Sequence, residues 1–175
     1  RRNTISFGGG YNLTQKFTAR AFVSYIKSES DNRPSISYGT ENIMYLFNCW
    51  LPRSVDVADM KDYWMRGLEG RRQFGFNYNY HDNPWFTMYE NTNGQYVDRI
   101  IGNIALKYDF TPELSFMLRT ATDFANERRQ YRRAFSTQRF PFGQYREAKV
   151  YSEERNSDFL LTYNKELVPS TWNLT

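Results

Sequence analysis

The sequence holds one cysteine, Cys49, and one histidine, His81. An internal disulfide is therefore impossible, and a Cys/His zinc cluster is excluded. No run of about 18 apolar residues occurs, so no membrane-crossing helix is expected. That exclusion does not reach membrane barrels, whose strands are short and alternating. Gly8–Gly10 permit bending but make no phosphate loop, because neither a helix nor Lys-Ser/Thr follows them. The chain starts at Arg1 with no Met and no signal peptide, and stops in "STWNLT", which reads as a strand beginning. Both ends are expected to be cuts in something larger.

Aromatics are abundant. They make up 18% of the 175 residues, with 14 Tyr and 14 Phe, although the mean hydropathy is only -0.76. Rings at that density need apolar or interfacial surroundings, which argues against disorder. The net charge of +4 suits nucleic acid, anionic lipid or neither, and over this length it is too dilute for nucleic acid to lead.

The pattern is period two. Five runs alternate: Thr4–Leu13, Phe17–Ile26, Arg99–Phe110, Leu114–Phe124 and Arg155–Asn164, and a sixth starts after Val168. Ile101, Ile104, Ala105 and Tyr108 also fit helical spacing, and periodicity alone does not separate short runs. Three facts favour strands. The runs are about ten residues long. They come in pairs joined by tight turns. All six prolines fall outside the five runs, as ladder pairing requires. In the first four runs the apolar faces hold 22 positions and no charge. About five charges would fall there at random, so the faces are sorted. Arg20, Arg99, Lys107, Asp109, Arg119 and Asp123 lie on the opposite faces.

Short connections (14–16, 111–113, 165–166) alternate with long ones (27–97 and 125–150). All long connections then lie at one end of the sheet, as in outer-membrane barrels. Tyr11, Phe17, Tyr108, Phe110 and Tyr163 mark the run ends near the short turns, and Tyr25 and Phe124 those near the long loops, where interfacial girdles belong. The pattern predicts an all-β chain, part of a transmembrane antiparallel barrel. Its six charges named above would face the lumen, because charge on the lipid side costs about 2–4 kcal/mol at mid-membrane. A soluble sandwich would alternate in the same way. It would need inter-sheet partners, and an excursion of roughly 70 residues fits it poorly.

The segments "DNPWFTMYENTN" (82–93), "DRIIGNIALKYDFTPELSFMLRTATDF" (98–124) and "RNSDFLLTYNKEL" (155–167), with "ENIMYLF" (41–47) and "DMKDYW" (59–64), resemble SusC/RagA-type TonB-linked outer-membrane proteins over nearly the whole chain. The resemblance implies about six strands of a 22-stranded barrel with long extracellular loops. It implies a SusD-like lipoprotein lid, TonB acting through a plug portion, outer-membrane lipid around the barrel, and import of glycans or peptides. The chain holds no plug, no TonB box and no N-terminal carboxypeptidase-like extension. Six strands do not close such a barrel, so the fragment is not expected to transport alone, and its open edges would aggregate in water.

No catalytic role is expected, and no cofactor. His81 has no cluster around it and reads as structural. Cys49, between bulky apolar neighbours, reads as a buried small hydrophobe. The acid pairs Glu153-Glu154 and Asp56/Asp59 read as solvated charge. Ser54 is a candidate N-cap for a short helix ahead of Met60. Tyr80, Trp85, Tyr89, Trp50 and Trp64 are loop candidates for a substrate or lid partner, by stacking on sugars or bonding to peptides. The basic run "ERRQYRR" (127–133) has three readings: phosphates of outer-leaflet lipopolysaccharide, contact with lid or substrate, or a solvated strand extension.

Overall fold

Two threonines set the tight turns. In the computed structural model, which describes residues 1–36 and 38–165, the Thr14 hydroxyl accepts from the amides of Lys16 (3.2 Å) and Phe17 (3.1 Å). The Thr111 hydroxyl accepts in the same way from Glu113 (3.3 Å) and Leu114 (3.1 Å). Each side chain thus replaces backbone partners that a two-strand reversal leaves unmet.

The turns join strands β1 (Arg2–Asn12) to β2 (Phe17–Ser30), and β3 (Asn93–Asp109) to β4 (Leu114–Thr137); β5 (Phe140–Tyr163) follows. The five strands form one open antiparallel sheet in sequential order. The expected sixth strand, 168–175, lies outside the described residues. Residues 125–150, expected as a long loop, are instead the far halves of β4 and β5, closed by a turn at Gln138-Arg139. The expected 27–97 loop is shortened at both ends by β2 and β3. It carries helices α1 (Ile43–Cys49) and α2 (Pro84–Tyr89) and one 3-10 turn, Ala58–Met60. No helix among the described residues is long and apolar enough to cross a membrane.

The chain divides into two compact units. The strand unit comprises Asn3–Lys27, Asp98–Ala125 and the chain from Tyr151. Its side chains sort onto two faces, as alternation requires. On the apolar face Phe17 meets Tyr108, Phe116 meets Phe159, and Phe124 meets Tyr151. On the other face Ser6 bonds Ser24, Arg99 pairs with Asp123, and Arg119 pairs with Asp158. The apolar face has no cover among the described residues: Phe7 is 69% exposed, Ile104 51% and Leu161 61%. The glycines of β1 do more than permit bending. A Cβ on Gly8 would stand 3.2 Å from the ring of Phe22, and one on Gly10 3.1 Å from Cγ of Arg20. Side chains of β2 lie across these positions.

The excursion unit comprises Arg1–Arg2, Ser28–Val97 and Asn126–Val150. It holds the buried apolar side chains Leu46, Met60 and Phe86. Asn42 caps α1 through the amides of Met44 and Tyr45. Asn83 caps α2, with Pro84 in the first turn, where its missing N–H costs nothing. The short helix expected after Ser54 is the 3-10 turn. Asp56, not Ser54, bonds its first amide, Ala58, at 2.8 Å. Cys49 is exposed, contrary to expectation, because α1 turns Leu46 rather than Cys49 inward.

Candidate functional site

Within the excursion unit, Asn83 is the organising residue. Its Oδ1 accepts from Trp85 (2.8 Å) and Phe86 (3.4 Å), and its Nδ2 donates to the carbonyls of Met60 (2.9 Å) and Phe74 (2.7 Å). One amide side chain therefore fixes the helix start and two loop segments. Beside it, Gln73 Nε2 donates to Asp82 Oδ1 at 2.6 Å and to the Ser136 carbonyl at 2.5 Å. Gln138 N donates to the same Asp82 oxygen at 2.8 Å. Ser136 has φ 74°, unusual for a residue with a side chain; its hydroxyl also accepts from Gln73 N at 3.1 Å. This buried network ties the excursion to the β4–β5 turn. Burial pushes the Asp82 carboxyl up, and its Oδ2 has no partner. Burial pushes His81 down, and neither ring nitrogen is bonded. His81 lies 4.8 Å from Trp50 and stacks with Phe76.

The aromatic candidates separate into three places. Trp85 stacks on Tyr89 (6.1 Å), Tyr89 on Tyr63, and Trp64 meets Phe86 edge-on (5.3 Å). Trp85 Nε1 donates to the Val57 carbonyl at 2.7 Å, so this ring is anchored rather than free. Trp50 stands apart, against His81 and Tyr45. Tyr80 is exposed and joins neither group. Tyr89 and Trp50 keep exposed faces that a ligand or partner can use.

A cleft of about 450 Å³ is lined by Arg33, Glu41, Asn93 and Gln95, none of them singled out as a site residue in the sequence, and by Arg129 and Tyr131 of the "ERRQYRR" run. Arg33 Nη1 donates to Gln95 Oε1 at 3.0 Å, and Gln95 Nε2 donates to Glu127. Arg129 grips Glu127 at two points, 2.6 and 2.7 Å, and this holds the Glu127 carboxyl below its usual range. Arg133 closes one side by pairing with Glu41. Arg146 lies over the Tyr131 ring at 4.7 Å. Charge is nearly balanced and hydrogen-bonding groups are dense. Such a surface suits a polar ligand rich in hydroxyls or amides better than an apolar one. Only the "ERRQYRR" run hinted at it in the sequence, since its partners Arg33, Glu41 and Gln95 are distant in the chain.

The six charges expected toward a lumen share the polar face of the strand unit. Arg99 pairs with Asp123, Lys107 with Asp109, and Arg119 with Asp158, a partner the pattern did not single out. The side-chain stem of Arg20 lies across Gly10. Among the described residues no cluster of three metal-ligating side chains occurs. No family model and no curated protein matches the chain.

Proposed function

We propose that this chain is a barrel segment of an outer-membrane TonB-dependent importer of the SusC/RagA kind. It takes up glycans or peptides together with a SusD-like surface lipoprotein and is driven by TonB through a plug portion. The observation that carries the reading is the strand unit's apolar face. It runs over antiparallel strands with Phe7, Ile104, Phe159 and Leu161 exposed, carries one ion pair, Arg155–Glu153 on β5, and backs onto a face of paired charges. In water a bare apolar sheet face is a liability; in lipid it is a requirement. Strand length supports the same reading. Each 24-residue strand, β4 and β5, tilted about 45°, rises roughly 56 Å, about twice the ~25 Å apolar band. The surplus of each strand belongs outside lipid. Nothing in this mechanism is catalytic, and nucleic acid has no part in it.

The deciding experiment is on the native protein. Outer membranes are solubilised in mild detergent, the parent chain is captured by antibody to residues 38–92, and co-purifying species are identified by mass spectrometry. A stoichiometric surface lipoprotein is expected, with bound glycan or peptide naming the substrate. Recovery of the chain from the soluble fraction would point instead to a soluble carbohydrate-binding sheet.

A further inference from the structure

The basic run 127–133 is divided by strand alternation. Arg129 and Arg133 turn to one face, where Glu127 and Glu41 neutralise them. Arg128 and Arg132 turn to the other and are exposed. Among the described residues neither has a carboxylate partner. Each lies over a tyrosine of the adjoining strand: Arg128 over Tyr96 of β3 at 4.9 Å, Arg132 over Tyr145 of β5 at 5.9 Å. Gln130 bonds Glu147 across the β4–β5 pair, and that register sets Lys149 opposite Arg128. The acids of this face accept from neutral donors, and the charge of Glu147, between Arg128–Lys149 and Arg132–Tyr145, is offset by Lys149 and Arg128, which leaves the row a net positive charge. Asp31 accepts from the Tyr96 hydroxyl at 3.0 Å and Glu147 from the Tyr145 hydroxyl at 2.8 Å. A guanidinium lying over a ring keeps its N–H edge open for a planar or tetrahedral oxyanion.

The parity of these positions gives the ligand. Along β4, Arg128 and Arg132 follow Leu118 and Phe124 at even numbers, the side that carries apolar residues within the expected band. Arg128 lies four residues past Phe124, roughly 9 Å of height at a 45° tilt. The polar layer of a bilayer begins within that distance of the hydrocarbon edge. Cations on the lumen side would face substrate; these face outward.

We propose that the row Tyr96–Arg128–Lys149, extended by Arg132 over Tyr145, holds the phosphate of a lipid headgroup at the rim of the outer leaflet. This rests on the membrane reading above, and the experiment separates the two. The full parent protein is embedded in nanodiscs containing phosphatidic acid or diacylglycerol with identical acyl chains, and retained lipid is counted per folded barrel by native mass spectrometry. Wild type should retain phosphatidic acid about tenfold over diacylglycerol. Arg128→Gln with Lys149→Gln should lose that preference, while Arg128→Lys with Lys149→Arg should keep most of it. An exposed control in the excursion, Arg53→Gln, should behave as wild type. Equal retention of both lipids by assembled wild type overturns the site but leaves the barrel standing. Displacement of the lipid by equimolar inorganic phosphate overturns the lipid assignment in favour of a free-phosphate site. Failure of the parent chain to fractionate with outer membranes overturns the membrane reading itself, and the proposal with it.

Discussion

Arg133 and Glu41, 92 positions apart, meet at two points: Nε to Oε1 at 2.9 Å and Nη2 to Oε2 at 2.6 Å. The arginine side chain is 4% exposed and the glutamate 23%. Arg133 Nη2 also donates to Asn93 Oδ1 and Nη1 to the Thr92 carbonyl, so one guanidinium binds β4, the start of β3 and the entry to α1. Removing it leaves a half-buried carboxylate without its partner, at or below the low end of the about 3–5 kcal/mol that breaking a buried pair costs. Arg133→Met should therefore open residues 38–92 to surface protease in intact membranes without reducing the amount of assembled protein. Glu41→Gln should open them less, because it leaves the guanidinium its three other acceptors, the Thr92 and Arg132 carbonyls and Asn93 Oδ1. Unchanged proteolysis in Arg133→Met would show that the pair does not fix the excursion.

His81 and Asp82 are neighbours with opposite acid responses. His81 is held below its ordinary value by burial, so the stability it supports is complete above about pH 6.5 and is lost as pH falls toward the lowered folded value. Asp82 is raised by burial, so the folded form takes up a proton first and its contribution grows as pH falls from the raised value toward about 4. Asp82→Asn keeps the Oδ1 acceptor used by Gln73 and Gln138 and removes the unpartnered charge. At pH 7.5 the variant should be as resistant to surface protease as wild type, within about 1 kcal/mol of local opening free energy. Below pH 6 it should open more steeply, since the opposing term is gone. His81→Phe should flatten the acid response, as the ring still fills the space between Trp50 and Phe76. A steeper acid response in that variant would contradict the assignment.

Legibility in the sequence followed physical environment. Strands near 4–13, 17–26, 99–110 and 114–124 were readable because one face avoids charge, and the cross-strand contacts keep that sorting. The far halves of β4 and β5 were not. Arg128, Arg129, Arg132 and Arg133 put charge on both faces, and with polar surroundings on either side no apolar alternation remains to be read. The helix caps carried local signals, Asn42 and the Asn83-Pro84 pair, that periodicity does not register. The cleft was the least legible part. Its ion pairs join residues tens of positions apart, and no spacing rule connects Arg33 with Glu127 or Glu41 with Arg133.

Leu106 and Ala105 sit at nearly the same depth of β3 on opposite faces, which isolates facing from depth. An arginine at Leu106 would enter the apolar face, at about 2–4 kcal/mol if that face meets mid-membrane lipid. At Ala105 the same side chain would enter the face of Lys107 and Arg99. Leu106→Arg should lower the assembled outer-membrane protein sharply, while Ala105→Arg should leave most of it. Equal loss from both, or none from Leu106→Arg, would remove the basis for placing lipid on the even-numbered face of β3.

The Arg119–Asp158 contact tests what lies against the opposite face. The two side chains meet at 2.7 Å, and each is about half exposed, 53% and 47%. A pair in such surroundings is screened by water and contributes little, whereas a pair sealed beneath protein leaves a costly orphan when broken. If the face lines a wet lumen, Arg119→Gln should move the melting temperature of the full protein in detergent by no more than about 2 °C. Raising the salt concentration should shrink even that difference. The paired change Arg119→Asp with Asp158→Arg should assemble as wild type does, because water tolerates either orientation. A large, salt-insensitive loss in Arg119→Gln would mean that a packed element, such as a plug, covers this part of β4 and β5. The polar face would then be a plug-holding surface rather than a solvent-lined wall.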